Sequence, residues 1–353
     1  MKPKYLRQQK IIEYLVQNGQ GKSMDIHNYL AADEDLALIT VKRELSSMVQ
    51  QGLLAIKKAG AATSYTVTTY GRLLQAVDPQ QYCQIEPDQR RGNTSYNFNL
   101  FSEINFQLFN PQEYQRLEQA TAIYRQRAAK VSPAINHKEL ERFMIELSWK
   151  SSKIEGNTYT LLNTERLLKY GLEAPHHNKE EAIMIINHKE AFQFIMDHQE
   201  IFLTLTRANL EKLHQILMKD LAVNNDLRAM GVGITGSRYR PLDNKYQIAE
   251  ALEDLSLAIS RLKTGYDKAL LALAGISYIQ PFEDGNKRTG RLMANALLLA
   301  HNLAPLSYRS VSEEEYKEAT LVFDELNSLV PLKKIFIGQY EFAANNYTLA
   351  NPQ

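Results

Sequence analysis

With 353 residues, the chain is longer than the ~100 to 150 residues of a typical domain, so we expect two or three domains. The formal net charge of +1 excludes a surface that is positive throughout, so any nucleic-acid or anion site must be a local patch. The single cysteine, Cys83, excludes an intramolecular disulfide and a cysteine-rich zinc site.

No apolar run of 18 residues is present, and the first residues lack the apolar core of a signal peptide. We therefore expect a cytoplasmic protein without a membrane partner.

Residues 1–77 are predicted to form a winged helix-turn-helix domain. Apolar residues around Ile11 recur at helical spacing until Gly19, and Ser23 is a predicted N-cap for a second helix. A third helix carries Val41 on its apolar face, and two strand-like runs, LLAIKK and TSYTVT, follow it. Three helices and a small hairpin are the order of elements in a winged helix.

In a winged helix the third helix enters the major groove of DNA and the hairpin touches the phosphate backbone. The residues predicted to contact DNA are Lys42, Arg43, Lys57 and Lys58. Residues 1–75 hold ten Lys and Arg against six Asp and Glu, which favours a DNA partner. The alternative is that the domain docks on protein and these charges are only solvated.

Residues 78–109 are rich in polar and turn-forming residues and are predicted to be a linker. Helical periodicity dominates residues 110–353, where the predicted strands are GVGITG and a partner around SRYRPL. The fold class is therefore mainly α, with a small β-hairpin inserted into a helical bundle that ends in a C-terminal helical extension.

The loop QPFEDGNK follows an apolar helix and leads into another. A Gly-Asn turn at a helix N-terminus offers backbone N–H groups and the positive end of the helix dipole to an anion. Arg288 and Arg291 are three residues apart, so they share one face of the second helix and can clamp a polyphosphate. Asp284, beside the turn, suits a magnesium ion that bridges phosphates. The sequence thus predicts a phosphate site.

The stretch QPFEDGNKRTGR resembles the Fic family signature HPFxxGNGRxxR. The resemblance covers residues 110–340 or so, and it implies a Fic-type helical bundle in which the predicted hairpin is the flap that aligns a target segment by strand addition. Fic proteins generally transfer AMP from ATP, with Mg²⁺, to a Ser, Thr or Tyr hydroxyl of a protein. The related Doc proteins carry GNKR and transfer the terminal phosphate.

The stretch SSKIEGN resembles the family's inhibitory motif, [S/T]xxxE[G/N], with Ser151, Glu155 and Gly156 in register. The resemblance implies an inhibitory helix over about 138–157 whose Glu155 reaches Arg291 and keeps it from the γ-phosphate. One guanidinium cannot form a bidentate pair with a carboxylate and a phosphate together. Taken alone, the same residues also fit a helix end followed by a C-cap glycine.

The resemblance also gives each matching position a role. Phe282 is expected beneath the loop, and Asp284 is the expected metal ligand. The expected catalytic positions are Gln280, Asn286 and Arg288. The expected nucleotide-binding residues are Gly285, Asn286, Lys287, Arg288 and Arg291, and the expected flap residues are Thr235, Gly236 and Ser237.

Two positions depart from the family pattern. Gln280 stands where the family has the His that accepts the proton of the target hydroxyl, and a carboxamide cannot act as a general base. Glu283 is expected to act as the general base in place of that His only if its geometry allows. Lys287 stands in place of a Gly, which adds bulk and charge beside the diphosphate and leaves the transferred group open.

Three hypotheses follow. The first is an autoinhibited Fic-fold protein modifier of low or altered activity, the second a non-catalytic regulator that signals nucleotide occupancy through the winged helix to DNA, and the third a Doc-like phosphotransferase. The sequence does not decide whether the chain forms a homodimer.

Overall fold

The N-terminal region is a winged helix in the computed structural model, which describes residues 4–59 and 62–349. Its elements are α1 (Lys4–Asn18), β1 (Gly21–Lys22), α2 (Ser23–Ala31), α3 (Leu38–Gln50), β2 (Leu54–Ala59) and β3 (Ala62–Val67). The antiparallel sheet has the order β1-β3-β2. The three helices and the hairpin are confirmed, and the domain has its own apolar core around Ile11 and Val41.

Two local details differ from the prediction. Ser23 is the first residue of α2, and Lys22 occupies the N-cap. Strand β1 was missed because two residues are too few to show an alternating pattern. Lys22 pairs with Ser64 of β3, which anchors the start of α2 to the sheet.

The rest of the chain is helical. The helices are α4 (Thr69–Leu73), α5 (Pro79–Gln84), α6 (Pro111–Ala128), α7 (Pro133–Ile154), α8 (Leu161–Tyr170), α9 (Lys179–Asp197), α10 (Arg207–Leu217), α11 (Lys245–Arg261), α12 (Gly265–Ile279), α13 (Asn286–Ala300), α14 (Glu313–Leu326) and α15 (Val330–Asn346). Short 3-10 turns lie at Pro87–Gln89 and Gln199–Phe202. Within the described residues, no helix is both long and apolar enough to span a membrane.

Helices α12 and α13 form the centre of the bundle. Almost all of their side chains are buried, and α11, α14 and α10 pack around them. Gly275 in α12 permits close contact with α11, because a Cβ there would lie 2.5 Å from Leu255 Cδ1. The loop that joins α12 to α13 therefore has a rigid support on both sides.

The segment 78–109, predicted as a linker, packs against this bundle. Leu100, Phe101 and Ile104 are buried in the main core, and the backbone N–H of Asn97 donates to the hydroxyl of Tyr278 at 2.8 Å. The polar residues around this apolar group obscured it in the sequence. The segment is therefore an ordered connector, and it brings the winged helix against the bundle.

The two strands predicted in the flap, GVGITG and the partner around SRYRPL, were wrong. The described residues there form a turn in which the backbone N–H of Ser237 donates to the carbonyl of Ile234 at 3.0 Å, and Gly236 has a φ of 77°. The pairing nearby is an isolated parallel bridge between Arg240 and Ser95. Side chains from α14 and the connector, described below, take the hydrogen bonds that a strand partner would have used.

Candidate functional site

A cavity of about 560 Å³ lies where the α12–α13 loop, the end of α7, the flap and α14 meet. The residues of the predicted site that line it are Glu155, Thr235, Gln280, Asp284, Gly285, Asn286, Lys287 and Arg288. Gly236, Ser237, Ser151 and Arg291 are not among the lining residues. The fold thus brings together residues that are up to about 130 positions apart in sequence.

The wall of this cavity includes the N-terminus of α13. Gly285 is the N-cap and has a φ of 77°, and no side chain caps the helix there. A Cβ at Gly285 would lie 2.7 Å from the sulfur of Met218, so both the conformation and the space favour glycine. The first N–H groups of a 15-residue helix are therefore free to bind an anion.

Asn286 holds the loop together from within. Its side chain accepts from the backbone N–H of Phe282 and donates to the Phe282 carbonyl, both at 2.8 Å. It also donates to the carboxamide oxygen of Gln280 at 3.0 Å. The side chain is fully used inside the loop, so only the backbone N–H of Asn286 is left for a phosphate.

Arg288 is buried with part of its hydrogen-bonding capacity unused. One terminal nitrogen donates to Asp284 Oδ2 at 2.8 Å, whereas Nε and the other terminal nitrogen have no partner among the described residues. Burial lowers the pKa of Arg288, an effect that Asp284 and Glu155 oppose. Buried donors without acceptors are costly, so this guanidinium is suited to an anion in the cavity.

Asp284, the predicted metal ligand, is largely exposed and forms an ion pair with Arg288. The described residues contain no group of three or more His, Cys, Asp and Glu side chains that could hold a metal ion. A magnesium ion here would therefore have one carboxylate and depend on phosphate oxygens and water for its other ligands. That ligand set is common for magnesium in nucleotide sites.

Glu155 and Arg291 are in contact, as the motif predicted. A terminal nitrogen of Arg291 lies 2.8 Å from Glu155 Oε1, although the two atoms are not aligned as a hydrogen bond. The other two guanidinium nitrogens donate to Ser151, Nε to the hydroxyl at 2.9 Å and the second terminal nitrogen to the carbonyl at 2.8 Å. Glu155 therefore lies against a single nitrogen of Arg291.

The position of Glu155 follows from the end of α7. The helix ends at Ile154, Glu155 is its C-cap, and Gly156 has a φ of 100° that reverses the chain. The contact of Glu155 with Arg291 therefore comes from the same residue that ends the helix. Burial alone would raise the pKa of Glu155, but Arg291, with Lys287 and Arg288, outweighs it and lowers the pKa.

The carboxamide of Gln280 is bound inside the protein. Its nitrogen donates to the Ser277 carbonyl at 2.6 Å, and its oxygen accepts from Asn286, so the partners fix which atom is which. Gln280 has a φ of 52°, and Arg228 holds this turn by donating to the Gln280 carbonyl at 2.5 Å. Glu283, the alternative base, is exposed and accepts from the backbone N–H of Asn224 at 3.4 Å.

His214 is a residue of the site that the sequence did not reveal. Its ring stacks on Phe282 with a centroid distance of 3.6 Å and an angle of 8°, and Nε2 lies 3.0 Å from the Asp284 carbonyl. Phe282 is fully buried under the loop, as predicted. His214 comes from α10, about 70 positions earlier, and only the folded chain shows that it supports the phosphate loop.

Burial of two histidines predicts acid sensitivity. Burial lowers the pKa of His214 to about 4 and, with the charge of Arg291, that of His188 to about 3. Because the folded pKa lies below the unfolded value of 6.5, stability is fully present above pH 6.5 and falls as the pH drops towards 4. Each histidine contributes up to about 1.4 kcal/mol per pH unit to this slope.

His214→Gln should therefore reduce the slope of the unfolding free energy against pH by up to about 1.4 kcal/mol per unit between pH 6 and 4. Chemical denaturation at a series of pH values measures this slope. His137, on α7, is exposed, so His137→Gln is the matched control and should leave the slope unchanged. Equal slopes for the wild type and His214→Gln would contradict the assignment.

A second residue missed in the sequence is Asp324 of α14. It is fully buried, lines the cavity, and neither carboxyl oxygen has a hydrogen-bond partner among the described residues. Burial raises the pKa of Asp324 well above its usual range, while Lys287 acts in the opposite direction. Lys287 also lines the cavity, so the cavity lining includes both a buried carboxyl group and an ammonium group.

The predicted DNA contacts lie on the surface of the winged helix. Lys42 and Arg43 are exposed on α3, and Lys57 is exposed on β2. The side chain of Lys58 lies outside the described residues.

Two family models match this chain. Residues 204–298 match the Fic/DOC family, and residues 7–93 match the penicillinase repressor. The first match includes the loop, Arg288, Arg291 and the flap, and the second covers nearly all of the winged helix and half of the connector. Residues 204–298 are therefore similar to the Fic/DOC family, and residues 7–93, which include the winged helix, are similar to the penicillinase repressor.

Among curated proteins, the chain is similar to the protein adenylyltransferase fic-1 of Caenorhabditis elegans, at 24% identity over 204 residues. It is also similar to the protein adenylyltransferase Fic of Nematostella vectensis, at 26% over 185 residues. The matches cover 55% and 48% of this chain, but only 39% and 41% of the relatives. The Fic domain is thus distantly related to those of protein adenylyltransferases.

Solved structures establish the fold. A fragment of Fic-1 from Caenorhabditis elegans has a TM-score of 0.56 at 18% identity, covering 67% of this chain and 71% of that one. A Fic domain containing signaling protein from Bacteroides thetaiotaomicron has a TM-score of 0.53 at 19% identity, covering 65% and 95%. The bundle around α12 and α13 is a Fic fold.

Proposed function

We propose that this protein binds ATP with Mg²⁺ in the cavity beside α13 and is a restrained relative of the protein adenylyltransferases. The observation that carries the proposal is Arg288, whose two buried nitrogens without partners adjoin the uncapped N-terminus of α13. Both features favour a polyphosphate. Glu155 restrains the site because it occupies the one nitrogen of Arg291 that Ser151 leaves free.

In this proposal each residue has a limited task. The backbone N–H groups at Gly285 to Lys287 and the guanidinium of Arg288 hold the phosphates, and Asp284 holds Mg²⁺. The ion, when bound, neutralises phosphate charge and polarises the bond that breaks. Thr235, Gly236 and Ser237 present the hydroxyl of a target protein from the flap.

The proposed transfer is slow because the position of the base holds Gln280. A general base typically contributes ~10² to 10⁴ in rate. Phosphate binding does not need it, so ATP binds even where transfer is weak. Lys287 and Asp324 both line the cavity. A Lys in place of a Gly shifts the diphosphate, which keeps AMP and the terminal phosphate as alternatives for the transferred group.

The experiment that tests the proposal is self-modification with ATP labelled at either the α- or the γ-phosphate. The wild type should bind ATP and transfer little label, and Glu155→Gly should transfer more. Label from the α-phosphate identifies AMP transfer, and label from the γ-phosphate identifies a Doc-like phosphotransfer. A protein that binds no ATP in either form would overturn the proposal.

A second candidate is a nucleotide-sensing regulator that acts on DNA. The match of residues 7–93 to the penicillinase repressor and the exposed Lys42 and Arg43 on α3 favour it. In this role nucleotide occupancy alters the winged helix and no group is transferred.

For this candidate, DNA binding should weaken as salt rises, because bound phosphates release counterions. Lys42→Ala combined with Arg43→Ala should reduce the affinity for DNA. It should also make the slope of log affinity against log salt shallower, by the amount expected for the loss of about two phosphate contacts. Mobility shifts at several salt concentrations measure both. Lys130→Ala with Lys138→Ala, exposed on the bundle, is the matched control. Binding indifferent to salt and to Lys42 and Arg43 would count against DNA.

A further inference from the structure

Glu325 on α14 joins the flap to the connector. Its carboxylate is almost fully buried and accepts from the Ser237 hydroxyl at 2.7 Å and from the backbone N–H of Arg238 at 3.3 Å. From the connector it accepts from the Tyr82 hydroxyl at 2.6 Å and from Arg90 at 3.3 Å. One carboxylate therefore binds two donors from each segment.

Arg90 completes this arrangement. The nitrogen that contacts Glu325 also donates to the Gly236 carbonyl at 2.8 Å, which lies at the tip of the flap turn. The remaining nitrogens donate to the carbonyls of Ile85 and Cys83, so Arg90 is anchored within the connector. The flap conformation thus depends on a guanidinium that the connector holds in place.

The same end of α14 also contacts the connector and the residues at the end of α4. The carbonyl of Glu325 accepts from the backbone N–H of Asn93 at 2.6 Å. Just beyond it, the Ser328 hydroxyl donates to the Gln75 carbonyl at 2.6 Å, and the backbone N–H of Leu329 donates to the Leu73 carbonyl at 3.0 Å. Hydrogen bonds at this end of α14 therefore connect it to α4, to the connector and to the flap.

Charge and burial make the hydrogen bonds of Glu325 sensitive to the loss of any one partner. Hydrogen bonds to a buried charged group are stronger than neutral ones, and a buried carboxylate left without donors is costly. Apart from the isolated bridge between Arg240 and Ser95, the flap has no strand partner among the described residues, so these contacts take the place of a sheet in fixing it. Asp324, the neighbour of Glu325, lines the nucleotide cavity, which places these hydrogen bonds next to the proposed site.

We propose that Glu325 is a positioning residue that fixes the flap through Ser237 and Arg238, and that Arg90 and Tyr82 make the flap conformation depend on the N-terminal half of the chain. The flap's task of presenting a target rests on the proposed function. The dependence of the flap on the connector does not, because it follows from contacts present without nucleotide.

The test is hydrogen–deuterium exchange on the full chain without nucleotide. Arg90→Ala should speed exchange of the backbone N–H groups at 234–240 at least about tenfold, since it removes hydrogen bonds to a charged group. Exchange in α12 and α13 should not change. Arg91→Ala, an exposed neighbour, is the matched control, and Arg90→Lys should restore part of the protection because it keeps the charge.

Ser237→Ala removes the hydroxyl that donates to Glu325 and accepts from the backbone N–H of Tyr239. It serves if Arg90→Ala does not fold, with faster exchange expected at Arg238 and Tyr239. Flap exchange in both Arg90→Ala and Ser237→Ala equal to that in Arg91→Ala would overturn the inference. ATP affinity is measured in parallel. If the wild type does not bind ATP, the proposed function is refuted but the inference on the flap is not, because the exchange comparison needs no nucleotide.

Discussion

Glu155→Gln should raise the affinity for ATP at least about tenfold, which corresponds to about 1.4 kcal/mol. The substitution keeps the shape of the side chain and removes its charge, so the Arg291 nitrogen now facing Glu155 becomes available to a phosphate. Ser151 continues to hold the other two nitrogens, which keeps the guanidinium in its present orientation. The contact with Glu155 is close but poorly aligned, which favours its displacement.

Isothermal titration with ATP measures this change, and ADP gives a useful contrast. If Arg291 binds the terminal phosphate, the gain should be larger for ATP than for ADP. Glu141→Gln, on the same helix and partly exposed, is the matched control and should change neither affinity. An unchanged ATP affinity in both Glu155→Gln and Glu155→Gly would refute the inhibitory role of Glu155.

The sequence predicted those parts of the site that lie close together in the chain or follow a known motif. Local spacing placed Gly285 at a helix N-terminus and Arg288 and Arg291 on one face of α13. The contact of Glu155 with Arg291, although the residues are distant in sequence, came from the resemblance and not from periodicity. The resemblance did not predict the geometry of this contact, because the part of the guanidinium that Glu155 can reach depends on how Ser151 already holds the other two nitrogens.

The parts that escaped prediction depend on tertiary packing. His214, Arg228 and Glu325 are each on a different element from the loop or flap that they support, and Asp324 lines the cavity from α14. No spacing rule links any of them to the site. The flap strands were wrong for the same reason, since alternation in GVGITG suggests a strand only if a partner is available. Here Arg90 and Glu325 satisfy the polar groups of the flap instead.

Gln280→His should raise the rate of label transfer by ~10² to 10⁴, with the largest effect in the Glu155→Gly background. An imidazole can donate one N–H to the Ser277 carbonyl, which now accepts from the carboxamide nitrogen, and keep its second nitrogen to accept a proton. ATP affinity should stay within about twofold of the parent, because Gln280 belongs to the loop interior and no phosphate donor changes.

Gln280→Asn separates the effect of a base from that of a disturbed loop. It retains a carboxamide, shortens its reach to Asn286 and offers no proton acceptor of suitable pKa, so it should not increase transfer. Equal gains for Gln280→His and Gln280→Asn would mean that loosening the loop, and not proton transfer, limits the rate. No gain for Gln280→His despite tight ATP binding would favour the regulator, because a restored base would then have no reaction to accelerate.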